Sequence, residues 1–371
     1  MTITTAELSV ADSLSLPPPM PTFDIVVVGS GGGPDETNLS AYLLKPHEAA
    51  WKDGIIALEA GSGQGALAQL LHRNPLLFNS RGESISRTYT ASEIYSFLRC
   101  FLITHAHLDH ISGLVLSAGS FRGPRKRIYA TKDTLDDLEN VFSDRIWPNL
   151  ASWNEEDEDY KLLYSQLLAD NKYKTVYPDV SVRTIPISHG HNETGEYGSA
   201  AFFIRHDTRS REFIFFGDVE PDTVAAHPQT INVWRAAAPK IPHKLSAIFI
   251  ECSWPAGRSD DMLFGHLSPA HLVDELMALA GEVVKYRKGE QAGVRVRPLR
   301  KKQRKNPISP DELVGALDGL RVYVMHCKDD LAGDSDMPMR DIIVLQIGAL
   351  VEEKKLGAEI IAVEQGMHIE I

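Results

Sequence analysis

The sequence contains only three cysteines, Cys100, Cys252 and Cys327, and they lie far apart. Three such residues cannot build a disulfide framework, and their spacing is not that of a zinc-binding knuckle. We therefore expect them to be reduced core residues of a cytoplasmic protein.

Long apolar runs and an excess of positive charge are also absent. No apolar stretch is long enough to cross a bilayer, so no membrane segment is predicted. Lys and Arg number 38 against 50 Asp and Glu, a net charge of −12, which argues against a surface that binds nucleic acid throughout. One segment, 285–305, carries ten Lys or Arg. This segment could bind RNA or a membrane surface, or act as a nuclear-import signal. The acidic character of the rest of the chain favours a solvated surface loop.

The composition predicts one folded domain. Residues 1–21 lack the basic start and apolar centre of a signal peptide, and their run of prolines predicts a disordered leader. A hydrophobic share of 43% and a charged share of 24% are typical of globular proteins. Because no later stretch has the composition of a linker, we expect a single domain over 22–371, with insertions near 79–90 and 285–308.

Three imidazoles and a carboxylate follow the apolar run 101–103 within six residues: His105, His107, Asp109 and His110. Such side chains are the ligands that Zn²⁺, Mn²⁺ and Fe²⁺ prefer. Residues two apart at a strand end point to the same side, so His105 and His107 can share one ion. Asp109 and His110, on the turn into a predicted helix at 111–118, can reach a second ion. The alternative is a polar turn in which Asp109 caps the helix, but that explains one residue of the four. The spacing therefore predicts a dinuclear metal site.

This H-x-H-x-D-H pattern resembles the signature of the metallo-β-lactamase superfamily, and residues 105–114 more narrowly resemble the class II cyclic-nucleotide phosphodiesterases. The likeness extends to a glycine-rich run at 28–34, to Gly-His-Leu-Ser-Pro at 265–269 and to Tyr-Val-Met-His-Cys-Lys at 323–328. It covers most of residues 23–365. The resemblance implies an α/β fold, the αββα sandwich of two mixed β-sheets flanked by helices.

Sequence patterning places strands and helices in numbers that suit this sandwich. β-Branched and aromatic runs predict strands at 23–28, 55–58, 101–103, 127–130, 182–187, 200–205, 212–216, 247–251, 321–325 and 359–363. Apolar residues recurring at three and four predict further helices at 131–142, 159–169, 269–280, 311–317 and 339–353. Several predicted strands end at candidate ligands, which places the site along one edge of the strands.

The resemblance implies seven ligands for two divalent ions, most plausibly zinc, with manganese or iron as alternatives. The first ion is assigned His105, His107 and His189, and the second Asp109, His110 and His326. Asp218 bridges the two. Taken singly, His189, Asp218 and His326 could each be structural residues that follow a strand. His191 competes with His189, which is preferred because it directly follows a predicted strand; His191 would then either support a ligand or lie near the substrate.

A proton donor is needed because breaking a phosphodiester leaves an alkoxide. His266 precedes a predicted helix whose amides can attract phosphate, and Glu251 could accept a hydrogen bond from it and hold it in place. From the residues alone, His266 could equally well be a structural histidine at the helix start whose ring nitrogens are hydrogen-bonded. The resemblance favours catalysis, and it places Asp109 among the catalytic residues as well as the ligands.

One position departs from the family pattern, which has Asp where this chain has Glu59. The residue supports the histidine loop without binding metal, and a longer side chain could either reach further or loosen that support. The glycine-rich run is neither a P-loop nor a dinucleotide loop, because no Lys follows and Pro34 replaces the last glycine. We expect it to turn the chain beside the site, with Asn38 and Ser40 near the substrate.

The resemblance implies a cytoplasmic, metal-dependent enzyme that hydrolyses cAMP, and by extension cGMP, to the nucleoside 5′-monophosphate, lowering cAMP signalling. A hydroxide shared by the two ions would attack phosphorus while His266 protonates the leaving 3′ oxygen. The expected partner is the cyclic nucleotide; a homodimer is compatible with the sequence. The alternatives are another hydrolase on this scaffold, such as a tRNA 3′-processing nuclease, a thioesterase or a lactamase, or a cyclic-nucleotide-binding protein with a degenerate site.

Overall fold

The computed structural model describes residues 20–79, 87–193, 195–293, 308–329 and 336–371. Residues 1–19 of the expected leader, 80–86 of the first expected insertion (79–90) and 294–307 of the second (285–308) lie outside the described residues. Among the helices that are described, none combines the length and the apolar character needed to traverse a bilayer.

The strands of the described chain form two mixed sheets. In chain order they are β1 (Phe23–Gly29), β2 (Ala41–Pro46), β3 (Ile55–Leu58), β4 (Leu98–Leu102), β5 (Lys126–Ala130), β6 (Ala151–Ser152), β7 (Leu162–Gln166), β8 (Lys174–Tyr177), β9 (Val180–Asn192), β10 (Gly195–His206), β11 (Arg211–Phe216), β12 (Leu245–Glu251), β13 (Arg321–Met325), β14 (Glu359–Ala362) and β15 (His368–Glu370). The first sheet has the order β15-β1-β2-β3-β4-β5-β7-β6, and the second β14-β13-β12-β11-β10-β9-β8. Each sheet has a parallel half and an antiparallel half.

A layer of apolar side chains joins the two sheets face to face. Tyr42 on β2 meets Phe215 on β11 edge-on, with ring centroids 5.2 Å apart, and Phe23 on β1 meets Phe213 in the same way at 5.4 Å. Alternate residues of β11 point the other way, since Ile214 and Phe216 belong to a second core under the helices. Because β11 is buried on both faces, it consists of a near-continuous hydrophobic run.

Helices cover the outer face of each sheet. The first sheet carries α1 (Gln64–Arg73), α2 (Ala91–Phe97), α3 (Leu108–Ser117) and α4 (Lys132–Val141), and the second carries α5 (Thr230–Ala237), α6 (Pro269–Gly293) and α7 (Met339–Glu353). The layers therefore follow the sequence helix, sheet, sheet, helix. This confirms the predicted αββα sandwich.

Two predicted helices are wrong. The segment predicted as a helix at 159–169 contains strand β7, which pairs in parallel between β5 and β6. Its Leu162 and Tyr164 are buried beneath helices, and a short apolar run in such a place cannot be distinguished from a helix by spacing alone. The segment predicted as a helix at 311–317 contains only the short 3₁₀ turn Pro310–Leu313.

A close backbone contact fixes α3 against the chain before α1. A Cβ atom added to Gly113 of α3 would lie 2.6 Å from the nitrogen of Gly63 and from the carbonyl carbon of Ser62. Those atoms are backbone and cannot rotate away. Any larger residue at 113 therefore has to push α3 outward.

We expect Gly113→Ala to lower the free energy of unfolding by about 1–3 kcal/mol, because overpacking outweighs the better helix propensity of alanine. Gly65→Ala in α1 is the matched control, since nothing lies within 4 Å of a Cβ there. It should be neutral or stabilising by up to about 1 kcal/mol. Urea denaturation of both variants checks the pair, and an equal gain in stability for both would contradict the contact.

Candidate metal centre

The turn after β4 presents the first candidate ligands. His105 and His107 follow the strand, His107 occupies the N-cap position of α3, and Asp109 and His110 stand in the first turn of that helix. Glu59 braces this turn: one of its oxygens accepts a hydrogen bond from the Thr104 amide at 3.1 Å, and the other lies 3.5 Å from Nδ1 of His110. The longer glutamate thus reaches the histidine loop.

The remaining candidate ligands arrive on the second sheet. His189 lies near the end of β9, Asp218 follows β11, and His326 follows β13. Strands β11 and β13 run parallel with β12 between them, so their carboxyl ends meet at one edge. The glycine run passes beside this edge: a Cβ atom on Gly32 would lie 2.4 Å from Cε1 of His326.

The structure brings all seven predicted ligands together in two overlapping groups. The His105 group consists of His105, His107, His189 and Asp218; the His326 group consists of Asp109, His110, Asp218 and His326. Within each group, the ligand atoms all lie within 4.8 Å of one another.

Asp218 belongs to both groups and divides its oxygens between them. Oδ2 lies 3.6 Å from Nε2 of His105 and 3.6 Å from Nε2 of His189. Oδ1 lies 3.2 Å from Nε2 of His110 and 3.4 Å from Nε2 of His326. This is the arrangement that a carboxylate bridging two neighbouring cations requires.

Two buried atoms in the His105 group have no hydrogen-bond partner among the described residues, Nε2 of His105 and Oδ2 of Asp218. Leaving a buried polar atom unpaired costs about 1–3 kcal/mol. Both atoms are acceptors when the imidazole is the Nδ1–H tautomer, and Nδ1 of His105 lies 3.0 Å from the Thr104 hydroxyl. A divalent cation would satisfy both atoms at once, so the residues present fit a metal ion.

The histidines of the His105 group are held in the neutral form that a metal requires. Burial lowers the pKa of His105 well below its ordinary value, lowers that of His107, and lowers that of His189 to about 4. His110 differs: burial alone would lower its pKa, but the carboxylates of Asp218 and Glu59 raise it well above the ordinary value.

The bridging carboxylate stays ionised in spite of its environment. Burial would raise the pKa of Asp218, but His326, His110 and His105 around it hold the pKa well below the usual range. Burial also opposes ionisation of Asp109, but the neighbouring His326 and His110 lower its pKa. The His105 group thus combines neutral imidazoles with a charged carboxylate, the ligand set of a divalent transition metal.

His266 and Glu251 form a buried pair beside both groups. Nδ1 of His266 lies 2.9 Å from Oε1 of Glu251, and the His266 ring lies 5.1 Å from that of His189 and 5.3 Å from that of His326. Burial lowers the pKa of His266, but the Glu251 carboxylate outweighs it and raises the pKa. The Glu251 carboxylate therefore favours the protonated form of the His266 imidazole beside the candidate metal centre.

The residues that the sequence predicts to contact substrate have contacts within the protein or lie outside the two ligand groups. The Asn38 side-chain oxygen accepts a hydrogen bond from the Ser30 amide at 3.0 Å and so braces the glycine run. Ser40 is 1% exposed and lies beside the buried Tyr42 side chain. His191 is exposed and belongs to neither ligand group. Their contact with substrate stays a prediction.

Sequence reasoning missed two side chains at the centre. Thr104 contacts Nδ1 of His105 through its hydroxyl, and Ser253 lies between Glu251 and His326. The position of Thr104 directly before the histidine motif was a usable signal. Nothing in the sequence indicates that Ser253 meets a histidine 73 residues later.

Comparison with known proteins identifies the family to which this chain belongs. The model of the family described as cAMP phosphodiesterases class-II matches residues 32–366. A protein of Schizosaccharomyces pombe named 3′,5′-cyclic-nucleotide phosphodiesterase is 34% identical over 281 residues, which are 71% of this chain and 77% of that protein.

Solved structures agree with the fold. The crystal structure of unliganded yeast PDE1 superposes with a TM-score of 0.76 at 25% identity, covering 95% of this chain and all (100%) of that chain. Human tRNase Z, short form, superposes with a TM-score of 0.50 at 12% identity, covering 94% and 99%. The second likeness shows a shared metallo-β-lactamase-like fold only.

The two groups should bind metal with different pH dependence. His110 must release its proton to bind an ion, whereas the His105 group is already neutral. Between pH 6 and 7, affinity at the His326 group should therefore rise about tenfold, one proton per ion, with a weaker rise at the His105 group. Equilibrium dialysis of Mn²⁺ with His107→Ala measures the His326 group, and with His326→Ala it measures the His105 group. Equal pH dependence in the two variants would contradict the assignment.

Proposed function

Since the chain belongs to the class-II cAMP phosphodiesterases and is an enzyme that hydrolyses 3′,5′-cyclic nucleotides, we propose that it converts cAMP to 5′-AMP at the metal centre described above. The proposal assigns one divalent ion to the His105 group and a second to the His326 group, with zinc as the native metal and manganese or iron as substitutes.

The bridging position of Asp218 carries this proposal. Each of its oxygens faces two imidazole nitrogens of a different group at 3.2–3.6 Å. In a single-ion site both oxygens would face the same cation. The orientation of the two Asp218 oxygens toward different groups therefore supports two ions. The unpartnered Nε2 of His105 gives independent support for an ion at that end.

A bound pair of divalent ions would supply a water of lowered pKa and neutralise the charge of the phosphate oxygens. The chain's own residues do the rest. Attack of water forms a new oxygen–phosphorus bond in line with the bond to O3′ that breaks. Asp109 has a side chain that is 25% exposed against 2% for Asp218, so it is the aspartate we assign to accept the proton of the attacking water.

His266 is the proton donor for the leaving O3′. Glu251 holds its Nδ1, which leaves Nε2 to face the substrate, and the raised pKa favours the protonated ring that a proton donor requires. The alkoxide receives that proton as it departs, and His266 is then recharged from solvent. A general acid placed in this way accelerates such a step by roughly 10²–10⁴-fold.

We also propose a cytoplasmic location. The three cysteines, all described, are free and buried. Unpaired thiols are typical of a reducing compartment.

Removing a ligand should abolish metal-dependent turnover and leave the fold. For His107→Ala and Asp218→Ala we expect cAMP hydrolysis to fall by about three orders of magnitude or more, because the loss of one ion removes several kcal/mol of transition-state stabilisation. Turnover and metal content are measured on the same sample, before and after chelation, with His72→Ala on the exposed end of α1 as the control. Wild-type activity that survives complete removal of metal would refute the proposal.

Parallel assays with a tRNA precursor and a thioester as substrates would identify a different hydrolase.

Replacing the acid should affect substrates according to their leaving groups. His266→Ala should keep its metal and lose roughly 10²–10⁴-fold in cAMP turnover. A p-nitrophenyl phosphodiester needs no proton on its leaving group, so its hydrolysis should change much less. Equal losses for the two substrates, or full activity toward cAMP, would remove the role assigned to His266.

A further inference from the structure

A single carboxylate faces two histidines of different function. Oε1 of Glu251 lies 2.9 Å from Nδ1 of His266 and accepts a hydrogen bond from the Val219 amide, also at 2.9 Å. Oε2 accepts a hydrogen bond from the Ser253 hydroxyl at 2.7 Å. The same hydroxyl oxygen lies 3.0 Å from Nδ1 of His326. Glu251, Ser253 and His326 are 0–1% exposed, so no solvent competes for these bonds.

The position of each proton follows from the donors available. A serine hydroxyl has one proton, and two oxygens are within its reach, Oε2 of Glu251 at 2.7 Å and the carbonyl of His326 at 3.1 Å. The proton goes to the charged and nearer acceptor. The oxygen of Ser253 is then an acceptor toward His326, so Nδ1 of His326 carries a proton.

In the neutral imidazole, which is the form that can bind a metal ion, this assignment leaves Nε2 of His326 without a proton. That nitrogen lies 3.2 Å from Oδ2 of Asp109 and 3.1 Å from Nε2 of His110, among the ligand atoms of the His326 group. The tautomer that Ser253 selects is therefore the tautomer that can bind a metal ion. Partners of this kind orient ligating histidines and are worth 10–100-fold in metal affinity.

We propose that Ser253 is a positioning residue that passes the charge of Glu251 to His326, so that one carboxylate orients both the proton donor and a ligand of the second ion. The proposal rests on the function proposed above and deepens it. Glu251 acts on His266 directly and on His326 through the serine. Loss of the serine hydroxyl should then damage one ion site and leave the other intact.

A purely structural role does not account for the hydroxyl. The backbone of Ser253 already ties the neighbouring loops, since its amide donates to the Leu267 carbonyl at 3.1 Å and its carbonyl accepts from the Lys328 amide at 3.0 Å. These bonds persist in an alanine variant. What alanine removes is the hydroxyl, which is both the donor to Glu251 and the acceptor for His326.

The test measures each ion site by itself. In a His107→Ala background, Mn²⁺ binding reports the His326 group, and we expect Ser253→Ala to weaken it by about 10–100-fold. In a His326→Ala background, Mn²⁺ binding at the His105 group should not change when Ser253→Ala is added. In otherwise wild-type protein, excess Mn²⁺ should restore most of the cAMP turnover of Ser253→Ala.

The matched control is Ser181→Ala. Ser181 is also a buried serine that donates a hydrogen bond to a carboxylate, here Asp207 at 2.6 Å, but it stands near the start of β9, at the opposite end of that strand from His189. Its variant should keep wild-type affinity at both sites. Ser253→Thr keeps the hydroxyl and should recover most of the affinity at the His326 group. Circular dichroism and thermal unfolding establish that each variant folds.

Three outcomes would overturn the proposal: unchanged affinity at the His326 group, equal weakening at both groups, or the same weakening in Ser181→Ala. Failure of the proposed function is recognised separately, in wild-type protein that hydrolyses no cAMP or binds only one ion. A wild-type enzyme with two ions and active turnover, combined with an unaffected Ser253→Ala variant, refutes the role of Ser253 alone.

Discussion

The structure of the centre depends on one buried charge. Asp218 is 2% exposed and ionised, and a carboxylate in such a place is stable only when positive or strongly polar groups surround it. Four imidazoles meet its two oxygens. With two cations between them, the carboxylate and the imidazoles would satisfy one another. The placement of β4, β9, β11 and β13 can be understood as the way in which the fold delivers those imidazoles to one carboxylate.

The sandwich makes this possible because parallel strands end together. Asp218, Glu251 and His326 follow or end three adjacent strands of the second sheet, and the turn after β4 brings the histidine motif from the first. Packing between the sheets sets the distance between these two contributions. The Phe213 and Phe215 side chains on the strand before Asp218 are part of that packing. The core residues of β11 thus come shortly before a candidate ligand in the chain, and a repacked core would shift that residue with it.

The sequence revealed the local part of this arrangement better than the distant part. His105, His107, Asp109 and His110 could be grouped because short-range backbone geometry determines where closely spaced residues point. His189, Asp218 and His326 were assigned through family resemblance, since spacing carries no information about contacts across 200 residues. The wrong helix at 159–169 arose because burial of β7 on both faces removes the alternation that marks a strand. Ser253 was missed because its partner is set by the tertiary fold.

The position of Gly32 against the His326 ring has a consequence for how the enzyme acquires its metal. The imidazole is confined by the glycine backbone on one side and by the Ser253 hydroxyl on another. Its rotamer is therefore selected when the polypeptide folds, before any ion arrives. A preorganised ligand of this kind loses little side-chain entropy when it binds a metal ion. The rate of metal binding would then be governed by how fast the hydrated ion loses its water ligands.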